Sequence, residues 1–137
     1  MMKLIQAVLV AAIVGLSFTN TALSTELHCR VIEKVGTPEG IFSSYPSENI
    51  TKYSYSVIIR DRGQNGSEIG RCSYSNSAGR VTCDFYSVDH TEKDKNVGHT
   101  KYYNFGAQFD VQVFSSMKFL ENNGRGGLSS GKCEHAN

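Results

Sequence analysis

Four cysteines, at 29, 72, 83 and 133, follow an N-terminal apolar run built to be removed, and together they limit what this chain can fold into. Met1–Lys3 is a short basic start. Leu4–Phe18 is apolar except at Gln6, Gly15 and Ser17, and small residues then offer a cleavage site after Ser24, with Ala22 shortly before it. This layout is a secretory leader and not a membrane span, because the run is short and no stop-transfer pattern follows. Residues 1–24 are therefore read as a signal peptide and residues 25–137 as one secreted domain without a membrane partner. Such a domain matures where disulfides persist.

The charge balance restricts the partners. The chain has 14 Lys and Arg against 13 Asp and Glu, and losing the leader removes Lys3, which leaves the two signs equal. A neutral domain gains no bulk attraction to nucleic acid or anionic membrane, so any such binding must come from a local patch. The absence of Trp, the wealth of Tyr, Phe, Ser and Gly, and only Pro38 and Pro46 describe strands and turns, not disorder.

Four cysteines allow three connectivities. Ile69–Tyr74 and Arg80–Val88 read as strands, and Asn76-Ser77-Ala78-Gly79 between them has turn chemistry. Symmetric pairing across that turn sets Cys72 opposite Cys83, where Cβ atoms lie within reach of a bridge. Cys29 is left to pair with Cys133. There is no Cys-x-x-Cys, and His28, His90, His99 and His135 do not fall at finger spacing, so no metal and no cofactor is expected.

Other strands are expected at Glu26–Glu33, Tyr53–Arg60, Lys101–Phe105 and Gln108–Ser115. Hairpin turns are expected at Asn65-Gly66 and Gly106-Ala107. Gly36–Glu48 holds both prolines and is expected to contain one short helix, with Thr37 as N-cap and Pro38 first. Asp89–His99 reads as a polar surface loop and Asn122–Gly131, with four glycines, as a mobile one. Asn49-Ile50-Thr51 and Asn65-Gly66-Ser67 are glycosylation sequons in loop positions.

Three late segments, Lys101-Tyr102-Tyr103, Val113-Phe114-Ser115-Ser116 and Gly131-Lys132-Cys133, resemble those of the ribonuclease-like effectors that powdery mildew fungi secrete into plant cells. Those proteins carry an aromatic-x-Cys motif at the mature N-terminus and a partner cysteine near the C-terminus. Here Leu27-His28-Cys29 stands at the first motif, with Leu27 in the aromatic position. Tyr45-Pro46 matches a Tyr-Pro pair of this family and of the small microbial guanyl-specific ribonucleases that it is similar to. The resemblance implies an α+β domain of ribonuclease-like topology: an antiparallel sheet, one short helix and two disulfides. The short spacing from Cys29 to Tyr45 truncates or displaces the family's main helix.

Matched residue by residue, the catalytic positions of such ribonucleases fall at Ser47, near Asp84, near Lys101 and at Phe114. The resemblance thus supplies a carboxylate and a cation but neither histidine. Cleavage of RNA through its 2′-hydroxyl needs a base and an acid, and Phe114 can be neither. The chain is accordingly expected to be no enzyme but a virulence effector that binds host RNA or a host defence protein. It would be a monomer, secreted and delivered into host cytoplasm, and open to recognition by plant immune receptors, as several members of the family are.

Strand alternation sets Val81, Cys83 and Phe85 on one face and Thr82, Asp84 and Tyr86 on the other. Asp84, Tyr86, Lys101, Tyr103 and Phe114 are taken as the binding face, since aromatics interleaved with a cation stack bases and neutralise phosphate. They serve equally as anchors for a protein. Two rivals stand beside this reading: an active secreted ribonuclease or toxin with histidines delivered from the Asp89–His99 loop, and an unrelated disulfide-linked β-sandwich effector.

Overall fold

The computed structural model describes residues 24–37, 42–63 and 65–136. The strands are β1 (Thr25–Gly36), β2 (Ser43–Ser44), β3 (Ser56–Asp61), β4 (Glu68–Ser75), β5 (Arg80–Ser87), β6 (His90–Asp94), β7 (His99–Asn104), β8 (Phe109–Val113), β9 (Lys118–Asn122) and β10 (Leu128–His135). The one helix among the described residues, α1 (Ser47–Tyr53), is capped by Pro46, carries Glu48 in its first turn and Lys52 in its last, and ends on left-handed Ser54. Those charges suit the helix dipole. The domain is mostly antiparallel β, with one short helix and the disulfides Cys29–Cys133 and Cys72–Cys83, paired as the turn chemistry predicts.

Nine strands follow one another in the order β5-β4-β3-β1-β10-β9-β8-β7-β6, every neighbour antiparallel, with β2 pairing β1 off this path. An odd number of antiparallel strands leaves the two edges, β5 and β6, pointing the same way, so they cannot close as a hairpin. Instead the chain bends from one into the other through Val88 and Asp89. Val88 N–H donates to Ser67 O at 2.9 Å and Asp89 N–H to Tyr103 O at 2.8 Å. Residues 80–94 thus serve both walls, pairing first with β4 and then with β7.

Contacts across the concave side measure how far the sheet curls. Arg71 on β4 and Glu121 on β9 are four strand spacings apart along the sheet, about 19 Å if it were flat. Their side chains meet at 2.7 Å. Tyr102 on β7 donates to Asp61 on β3 at 2.8 Å, and the rings of Tyr86 on β5 and Phe109 on β8 stand edge to face at 5.1 Å. The sheet is a half-barrel. Its core is the inward set of Leu27, Cys29, Val57, Ile59, Ile69, Val111, Phe119 and their neighbours, joined by Ile50 of α1.

Several elements differ from the sequence expectation. The described helix lies at Ser47–Tyr53, across the end of Gly36–Glu48, and the strand expected from Tyr53 begins at Ser56. The expected helix start, with Thr37 as cap and Pro38 first, falls on residues 38–41, which like residues 1–23 lie outside the described residues. Asp89–His99 is not a loop but mostly strand, its polarity explained by β6 being an edge in which no residue is fully buried. Within Asn122–Gly131, β10 already begins at Leu128. Gly131 is there for contact and not for mobility: a Cβ on it would run into the carbonyl oxygen of Arg30. Beside this close approach β1 carries a bulge, which leaves Ile32 unpaired between Val31 and Glu33 and turned outward.

Candidate functional site

Register partners share a face, so the sheet can be divided by following pairs across it. Asp84 faces Arg71, Arg71 faces Val57, and the series continues through Cys29 and Cys133 on the concave side. Tyr86 belongs to the same side through its contact with Phe109. Lys101 and Tyr103 alternate with buried Tyr102 and therefore stand on the convex side, joined there by Phe114 just beyond β8. The five residues singled out from sequence thus split into two groups. Lys101, Tyr103 and Phe114 share a face; Asp84 and Tyr86 lie on its reverse.

The concave group sits beside ionic packing. Arg71 donates Nε and Nη2 to Glu121 Oε1 and lies 4.9 Å over the Phe109 ring. Lys34 donates to Ser129 Oγ at 3.2 Å between the rings of Tyr45 and Tyr55, and burial holds its pKa below the ordinary lysine value although Glu121 pulls the other way. These contacts knit the walls together and leave Asp84 exposed at the lip.

On the convex face, Lys101 is already engaged. Its Nζ lies 3.6 Å from Asp110 and 4.9 Å over the Tyr103 ring. Burial alone would lower its pKa, but the Tyr103 hydroxyl and Asp110 outweigh that and raise it. Tyr103 donates to Glu92 at 2.7 Å, which raises its own pKa, and its ring sits between those of His90 and Phe105 at 5.7 and 6.0 Å.

Phe114 leads to a different arrangement. Its N–H donates to Lys118 O at 2.9 Å, and Lys118 is the register partner of Lys132, which is in turn the partner of Arg30. Three cations therefore stand directly opposite one another on β9, β10 and β1, within about 10 Å. All three are exposed, and none forms an ion pair among the described residues. Like charges directly opposite on neighbouring strands are destabilising, so the row works against the fold. Beside it runs a groove of about 610 Å³, lined by Ile32, Val97, Phe114 and Leu120 with the two lysines and Glu33 also in its lining. The His99 ring stands edge to face with Phe114 at 6.2 Å.

The chain matches no family model, no curated protein and no solved structure.

The site therefore stands on its own geometry. A cleft at the corner is lined by Asp61, Asp89, His90 and Lys93, where two carboxylates offset the lysine. The row beside Phe114 is where cations outnumber carboxylates, Glu33 alone lining the groove beside them, and where none of the three is ion-paired among the described residues. Sequence reading reached Phe114 but missed Arg30, Lys118 and Lys132. A signal for two of them was present: Arg30 follows Cys29 and Lys132 precedes Cys133, so an antiparallel Cys29–Cys133 pair sets these cations opposite each other.

Proposed function

We propose that this chain is a secreted, non-catalytic effector of the ribonuclease-like kind, and that it binds single-stranded host RNA along the convex row. The observation that carries the reading is the unanswered register of Arg30, Lys132 and Lys118. Cations kept opposite one another at a cost to the fold are explained by an anion that bridges them. Phosphates supply that charge at successive positions, and the groove with Phe114 offers an aromatic face and apolar walls for a base. The two disulfides agree with export to an oxidising compartment. A binding role is favoured over cleavage because Asp84 faces Arg71 on the concave side while His28, His90 and His99 stand on the convex one, and His135, opposite Leu27 on the concave side, lies four strands away from Asp84.

The test is anisotropy titration of a labelled RNA oligonucleotide at several salt concentrations, with cleavage followed in parallel. Three phosphate contacts to a single strand predict a log–log salt slope of about −2. Lys132→Ala should flatten it by about 0.7, and Phe114→Ala should weaken binding with the slope unchanged. Cleavage by the oxidised protein, or binding indifferent to all three cations, would overturn the reading.

A second reading rests on Phe105, which is 62% exposed beside Tyr103 and His90. Aromatic anchors with a polar rim suit a host defence protein or an immune receptor. Phe105→Ala separates the two, since it should abolish a protein contact and leave RNA binding intact.

A further inference from the structure

The two edges of the sheet are finished differently. β6 is five residues long and carries His90, Glu92, Lys93 and Asp94, the short, charged kind of edge that resists pairing. β5 is eight residues long, runs in unbroken register with β4, and has no strand along its other side among the described residues. It carries Val81 and Phe85 outward at 42% and 41% exposure. Phe85 is fixed in place: its ring lies against Gly70, where a Cβ would come within 2.7 Å, and Arg60 covers it at 4.2 Å. On the reverse face, Arg80 and Asp84 are exposed, four residues apart, and in no ion pair among the described residues.

We propose that β5 pairs with β5 of a second copy, antiparallel, about a two-fold axis through Thr82. Antiparallel partners present the same face, so the axis must pass through a residue and not between two. Centred on Thr82, the pairing sets Arg80 opposite the partner's Asp84 and Asp84 opposite the partner's Arg80. Val81 then meets the partner's Cys83. Centring on Cys83 leaves both charges unanswered, and centring on Asp84 puts two carboxylates face to face. The charges of the strand select one register, and it is self-complementary. The sheet would then continue through both copies, with β1, β9 and β10, and hence the cationic row, left free on each. This departs from the monomer expected of the sequence.

Sedimentation velocity of the oxidised, secreted protein over a wide concentration range tests it. A concentration-dependent dimer is expected. Arg80→Asp and Asp84→Arg, each alone, place like charges opposite each other and should weaken it by about tenfold or more. An equimolar mixture of the two variants should restore the dimer, because one chain then carries two acids and the other two arginines. Both positions are exposed, so near-UV circular dichroism should remain that of the parent. A protein that stays monomeric throughout, or a dimer indifferent to both reversals, overturns the proposal. So does a mixture no stronger than either variant alone.

Discussion

Arg71 on β4 donates through both Nε and Nη2 to one oxygen of Glu121 on β9, at 3.1 and 2.7 Å, and so ties the two walls of the half-barrel across the concave side. Glu121 is almost fully buried, with 6% of its side chain exposed against 28% for Arg71. Removing one partner from such a pair leaves a desolvated charge behind, whereas removing both does not. Glu121→Leu should cost about 3 kcal/mol in urea unfolding, at the lower end of the usual range because Arg71 can still reach water. The double variant Arg71→Met, Glu121→Leu should recover most of that loss. If the double variant were as unstable as the single one, the pair would matter for its shape and not for its charge.

The two disulfides should contribute unequally. Cys29 and Cys133 are separated by 104 residues and Cys72 and Cys83 by 11. In the loop-entropy model these correspond to about 4.7 and about 2.8 kcal/mol. Replacing each pair by serines and comparing unfolding free energies should show the larger loss for Cys29 and Cys133.

Tyr102 sets an alkaline limit. Burial first, and then its hydrogen bond to Asp61, hold its hydroxyl well above the ordinary tyrosine range. The folded protein therefore keeps this proton after the unfolded chain has lost it. Its contribution to stability is complete below about pH 10 and falls as the pH rises beyond that. Absorbance titration should show one tyrosine that ionises only on unfolding. Tyr102→Phe should cost about 1 kcal/mol near neutrality and make stability less sensitive to alkali.

Gly131 should tolerate no side chain. A Cβ there meets the Arg30 carbonyl, which is part of the β1–β10 ladder, and also the Phe119 ring at 3.0 Å. Gly131→Ala should cost about 2 kcal/mol or more, measured by thermal or denaturant unfolding. Gly79→Ala makes a useful contrast. It has open space around it but a φ of 67°, so only the backbone term of about 1 kcal/mol applies.

What could be read in the sequence followed from local chemistry. The turn at Asn76–Gly79 set Cys72 opposite Cys83 because hairpin register depends on the residues of the turn itself. Alternation within β5 correctly separated Asp84 and Tyr86 from Val81 and Phe85. What failed was the relation between strands. Asp84 and Lys101 fall on opposite faces because of a path through seven intervening pairings, and no single strand carries that information. The Asp89–His99 stretch reads as a loop because an edge strand needs few apolar residues, and α1 beyond Pro46 was not foreseen because proline punctuates helices without saying which side they lie on. The cationic row was hidden for the same reason. Arg30, Lys118 and Lys132 are ordinary surface residues until three strands bring them together.

The bond between Cys29 and Cys133 joins the first long strand to the last, and Leu27 lies opposite His135 in the same ladder. The path of the backbone is therefore nearly a ring, in which the order of the strands matters more than the place where counting starts. A short linker between those two strands would close it, and the ring could then be opened at the exposed Lys95–Gly98 turn without parting any pair of neighbours. Architectures of this kind can be renumbered, or spliced into the loop of another protein, while their surfaces stay where they were.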